Sequence, residues 1–183
     1  MTWGTAWHYL LMPREARAYG AVTRFLHWTM ALALLAQFVI GYAIERFDDL
    51  LETPVELWLG GEEDNLLIVH AGLGVTILAL ALVRVVWRLR VGLPPWAETL
   101  SAFERRLAHR TEVVLYALMF LIPITGLALL FLSGEDWDLL GGEWEAPLEM
   151  IDEDLLLGAH ISAHVLFFLA IAAHLALVLN TSW

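Results

Sequence analysis

Residues Leu155–Trp183 read LLLGAHISAHVLFFLAIAAHLALVLNTSW, a run of 29 residues without Asp, Glu, Lys or Arg. A membrane-spanning helix needs roughly 20 apolar residues, so this run can cross a bilayer. Its histidines His160 and His174 are 14 residues apart, a helical rise of about 21 Å. Fourteen residues are four turns at about 3.5 per turn, so in a left-handed bundle both side chains face one seam. One helix thus offers an imidazole at each of two depths.

Three more uncharged runs lie upstream: Phe25–Ile44, Asn65–Val83 and Val113–Gly134, of 20, 19 and 22 residues. The expected fold is an all-α integral membrane protein, a four-transmembrane-helix up-down bundle. The chain of 183 residues is 60% apolar and 17% charged, and its mean hydropathy is +0.67. That composition excludes disorder, and nothing in it suits nucleic-acid binding. No residue is cysteine, which removes disulfides, thiolate metal sites, iron–sulfur clusters and covalent haem attachment. Residues 21–183 are expected to form a single domain. Residues 1–20 read as an interfacial lead-in, with Trp3, Trp7 and Tyr9 as headgroup anchors. They lack the apolar core and small-residue site of a cleaved signal peptide.

Charge orients the spans. Lysine is absent, and nine of the ten arginines precede span one or lie between the end of span two and the start of span three. Short arginine-rich segments stay cytoplasmic, so both termini are expected on the inner side of a membrane crossed four times. The outer segments, Glu45–Asp64 and Glu135–Asp154, hold eight and nine carboxylates against the single Arg46, a net −16. The plain account is a solvated acidic surface. The functional alternative is a docking face for a basic soluble redox protein, one that repels small anions.

Of seven histidines, several lie at depths where ionisable groups are costly. Direction and depth pair them: His27 with His174 at the inner level, His70 with His160 at the outer level. The 14-residue interval recurs, because His27, His70 and Glu112 are followed 14 residues later by Gly41, Arg84 and Gly126. The outer layer is therefore expected to hold Gly41, His70, Gly126 and His160, and the inner layer His27, Arg84, Glu112 and His174. Glycine lets a flat bulky group approach the backbone. A buried arginine calls for an anion.

A pair of histidines is too few for zinc, which takes three or four ligands. Copper stays open, though it would lack Cys sulfur here. Haem needs only two axial ligands, and two imidazoles leave no open position, which suits electron transfer.

At these residues the chain resembles the prokaryotic cytochrome b561 family and, more widely, the b-type cytochrome subunits of membrane hydrogenases and formate dehydrogenases. The resemblance runs from about Arg24 to Val178. It rests on Arg24-Phe25-Leu26-His27-Trp28, on His70-x3-Gly74 with Arg84-x3-Arg88, on Tyr116 with Pro123 and Gly126, and on His160-x13-His174. It implies two haems b, with His27/His174 holding the inner and His70/His160 the outer, and quinol-linked electron transfer. The chain departs from the pattern at Glu112, where the family often has histidine. It also stops soon after span four, where the family runs on with a basic tail, and that stop is expected to reflect truncation or reliance on a partner.

The expected function is a transmembrane dihaem cytochrome, an electron-transfer oxidoreductase between quinone and a redox partner. One alternative is a haem-bearing anchor subunit of a larger respiratory dehydrogenase or hydrogenase complex. Another is a haem-free transporter or scaffold. Arg84 and Arg88 are expected at the inner propionates and Arg46 at an outer one. Glu112 is expected to pair with an arginine. His164 is expected to bond a quinone or propionate rather than to serve as a ligand. Pro123 is expected to bend span three.

Overall fold

The computed structural model describes residues 19–46, 64–92, 100–139 and 142–180. The lead-in with Trp3, Trp7, Tyr9 and His8, most of the first acidic segment, and the last three residues lie outside these.

Each apolar run becomes the body of one helix: α1 Ala21–Arg46, α2 Asp64–Val91, α3 Ala102–Leu132 and α4 Glu153–Asn180. All four are long and apolar enough to cross a membrane. The chain is thus a multi-pass, four-span α-helical bundle. The helices outrun the uncharged runs because local signals carry them into charged sequence. At α3, Ser101 accepts from the Glu104 backbone N–H while the Glu104 carboxylate accepts from the Ser101 N–H. This capping box satisfies two orphan donors and starts the helix eleven residues before Val113. At α4 the Asp152 carboxylate accepts from the Leu155 N–H. Helix α3 continues without a break through the buried Pro123.

The acidic segment between α3 and α4 contains a hairpin that an all-helical reading does not foresee. Strands β1 (Asp136–Leu139) and β2 (Gly142–Glu145) pair antiparallel, with Trp137 opposite Trp144. Trp137 and Trp144 each stand between two acidic residues, a period-2 pattern that suits a strand.

Successive helices run antiparallel and pack on one another, α3 on α4 most extensively. Large apolar side chains on the outside, such as Phe25, Leu89 and Leu179 at 67%, 79% and 82% exposure, face where lipid would be. The interior is narrow. Met30, Ile77, Ala81, Leu118, Met119, Ala163 and Phe167 are its buried centre. Ile77, Met119 and Phe167 each stand seven residues after His70, Glu112 and His160. Halfway along the 14-residue interval, then, the seam is apolar, and it separates two polar levels.

Candidate cofactor site

Both polar levels contain a facing pair of imidazoles. At the end marked by Arg84 and Arg88, here the arginine end, the rings of His27 on α1 and His174 on α4 have centroids 6.3 Å apart. At the opposite, acidic end the rings of His70 on α2 and His160 on α4 have centroids 6.4 Å apart. Helix α4 supplies one ring to each pair.

At the acidic end the structure brings all four layer residues together. A Cβ at Gly41 would lie 2.7 Å from His70 Cε1, and one at Gly126 would lie 3.1 Å from His160 Cε1. These glycines make room for the imidazole rings themselves, each against a different ring. Three polar groups not singled out for this layer complete it. The Gln37 amide donates to the His70 carbonyl at 2.9 Å and lies 3.2 Å from His70 Nε2. Thr125 Oγ1 is 2.9 Å from His160 Nδ1. The His164 ring packs 4.4 Å from that of His160 and edge-on to Phe38. Gln37, His160 and His164 are all buried, and Gln37 Oε1, His70 Nδ1 and His164 Nδ1 have no hydrogen-bond partner among the described residues.

At the arginine end the neighbours are charged. Arg84 donates from Nη2 to His27 Nδ1 at 3.1 Å and from Nε to the Tyr116 hydroxyl at 3.1 Å. Arg88 forms an ion pair with Glu112. Both guanidinium groups lie over the Tyr116 ring, at 5.5 and 5.3 Å from its centroid. Glu112 thus shares the expected level but turns to Arg88 rather than to an imidazole. Arg46 closes α1, and its side chain lies outside the described residues.

Metal chemistry can be tested against this geometry. An imidazole nitrogen binds a metal at about 2 Å, so two rings on opposite sides of one iron have centroids roughly 6 Å apart. Both pairs have that spacing. Among the described residues no three His, Asp or Glu side chains converge to hold a bare ion. Arg84 only donates, so its contact with His27 places that ring's proton on Nε2. Binding iron through Nε2 requires Arg84 to release Nδ1. A guanidinium released beside a flat group with carboxylate arms has an anion within reach.

The family described as prokaryotic cytochrome b561 matches residues 18–183. The chain belongs to that family. Members of the cytochrome b561 family bind haem b and work in electron transfer. A probable superoxide oxidase CybB of Yersinia pestis is 34% identical over 125 residues, covering 68% of this chain. The match spans 65% of that relative's length, so less than two thirds of it is represented here.

The signals for Gln37 and Thr125 were present but faint. Gln37 is one turn before Gly41 and Thr125 directly precedes Gly126. Both are uncharged, so a search for Asp, Glu, Lys and Arg passes over them.

Proposed function

We propose that this cytochrome b561 is a dihaem electron carrier, with His27 and His174 as axial ligands of one haem b and His70 and His160 as ligands of the other. The observation that carries this reading is the matched spacing of the two ring pairs, 6.3 and 6.4 Å. Haem b held by these imidazoles would supply reversible one-electron chemistry. The chain's residues do the rest. Helix α4 fixes the two levels about 21 Å apart along its axis. Gly41 and Gly126 leave space at the acidic end. Arg84, with Arg46 at the other end, would hold propionates, while Arg88 is engaged by Glu112. The apolar centre around Ile77, Met119 and Phe167 keeps water from the path between the levels.

Orientation follows the arginine distribution: residues 1–20 at the inner interface, both termini inside, in a prokaryotic inner membrane. Quinol is the proposed membrane-soluble donor or acceptor. The relative's name suggests superoxide as donor instead. Superoxide is a small anion, and the net −16 of the outer segments opposes its approach from that side. A basic redox protein suits that face better. A haem-bearing subunit of a larger complex uses the same ligands, and co-purification of a second protein in fixed ratio would favour it.

The test is a reduced-minus-oxidised spectrum with haem extraction on the purified full chain. Two haems b per chain, low-spin in both states, are expected. A colourless protein, or one haem per chain, overturns the dihaem assignment.

A further inference from the structure

Thr125 Oγ1 lies 3.0 Å from the Leu121 carbonyl, 2.8 Å from the Ile122 carbonyl and 2.9 Å from His160 Nδ1. A hydroxyl has one proton, and carbonyl oxygens only accept. The two short helical contacts favour that proton on Leu121 or Ile122, and the contact with His160 is then donated by the ring, from Nδ1–H to Oγ1, with the Ile122 carbonyl a second acceptor beside the same ring. A neutral imidazole carries one N–H, so His160 Nε2 is left with a free lone pair.

The ring contacts of His27 and His70 have the opposite polarity. Arg84 Nη2 and Gln37 Nε2 are donors, and each occupies a ring lone pair, on His27 Nδ1 and His70 Nε2. Among the described residues, only His160 in these three contacts has its ring proton held by an acceptor and its remote nitrogen prepared to bind a metal. The hydroxyl is anchored as well, because α3 fixes it through its own backbone one residue before the glycine that the ring packs against.

We infer that Thr125 is a positioning residue that locks His160 into the Nε2-ligating tautomer and lowers the reduction potential of the acidic-end haem relative to the other. This rests on the dihaem reading above. A ring that donates its second N–H to an oxygen is a stronger base toward the metal. Greater electron donation to iron favours the oxidised state.

The experiment is a redox titration, followed by reduced-minus-oxidised spectra, of the full-length protein as wild type, Thr125→Val and Thr125→Ser, with haem counted in each. Thr125→Val removes the oxygen and keeps the shape. One of two midpoints should rise by about a tenfold change in the oxidised-to-reduced ratio, equivalent to about 59 mV for a one-electron couple. The other should stay in place. The moved centre should be the one that His160→Ala abolishes. Thr125→Ser should restore the wild-type midpoint. Loss of that single haem in Thr125→Val, with recovery in Thr125→Ser, supports the same role. Two haems with unmoved midpoints in Thr125→Val overturn the inference, as does a Thr125→Ser variant that behaves like valine. A wild type without two haems overturns the dihaem reading instead, and haem counting separates that failure from the others.

Discussion

The two ends of the bundle carry nearly the same ring-to-ring spacing in opposite surroundings. At the arginine end His27 and His174 sit beside Arg84, with Arg88, Glu112 and Tyr116 in the next layer. At the acidic end His70 and His160 are met by a primary amide, a hydroxyl, a third imidazole and two glycines. The spacing comes from helix geometry, because α4 presents both rings on one seam. The difference comes from what α1, α2 and α3 place behind the rings. Two levels with similar imidazole pairs thus have different surroundings, charge at one and neutral hydrogen bonding at the other.

The harshest test removes a ring. His160→Ala and His174→Ala should each halve the haem per chain, and the surviving centres should differ in midpoint. Haem extraction and redox titration check this. If His160→Ala keeps both haems while His160→Ala with His164→Ala loses one, His164 has replaced its neighbour one turn away, and the acidic end is the more adaptable site.

A smaller break concerns space. A valine at Gly41 would begin 2.7 Å from His70 Cε1, inside any tolerable contact, with two further methyl groups beyond it. Gly41→Val should lose the acidic-end centre and spare the other. Gly126→Ala starts at 3.1 Å from His160 and asks only a few tenths of an ångström from the ring. It should shift the spectrum of that centre without loss of haem. Gly72→Ala, with nothing within 4 Å, is the matched control and should change neither centre. Absorption spectra of the three variants settle the order.

How far the sequence reaches also differs between the parts. The spans are legible because lipid imposes a length, and uncharged runs near 20 residues meet it. The helix ends are not, because hydropathy stops at the first charge while backbone hydrogen bonding continues, as in residues 102–112 of α3. The two levels are legible through the 14-residue interval, since α-helical geometry converts spacing into depth. What faces each ring is only partly so. Arg84 falls on the interval and stands out by its charge. Gln37 and Thr125 fall one turn or one residue off it, and rotamer choice decides what they touch. The hairpin at 136–145 is a miss of another kind. Its alternation of acid and tryptophan spans only three residues on each strand, too short a period to stand out from a segment dense in carboxylates.

Charge supplies the next test. Arg84→Leu takes a cation from beside His27 and leaves the Tyr116 hydroxyl without its donor. Reduction adds an electron to the centre, and a nearby cation favours that. The arginine-end midpoint should therefore fall, by about a tenfold change in the oxidised-to-reduced ratio, or roughly 1.4 kcal/mol. Arg84→Lys keeps the charge but loses the planar fork that the Tyr116 hydroxyl orients, so only part of the fall should be recovered. The acidic-end midpoint should stay unchanged in both.

The smallest effect belongs to Glu112, and its sign is the informative part. In this chain a carboxylate occupies a level shared with His27, Arg84 and His174, yet it is engaged by Arg88. It therefore cancels one of the two α2 guanidinium charges over Tyr116 and leaves Arg84 as the uncompensated one among these groups. Glu112→Gln uncovers the second charge. Arg88 makes no bond to an imidazole and acts across the Tyr116 ring, so its influence is weaker than that of Arg84. The arginine-end midpoint should rise by less than Arg84→Leu lowers it. Arg88→Leu with Glu112→Leu, which deletes both charges, should leave the midpoint near wild type. Stability should fall by about 1 kcal/mol at most for the single variant, because the pair is only partly shielded. If Glu112 instead took a proton from quinol at this face, Glu112→Gln would slow quinol oxidation with both midpoints unmoved. A redox titration set beside a quinol-reduction rate distinguishes the two roles, and a midpoint shift at unchanged rate identifies Glu112 as a counter-charge.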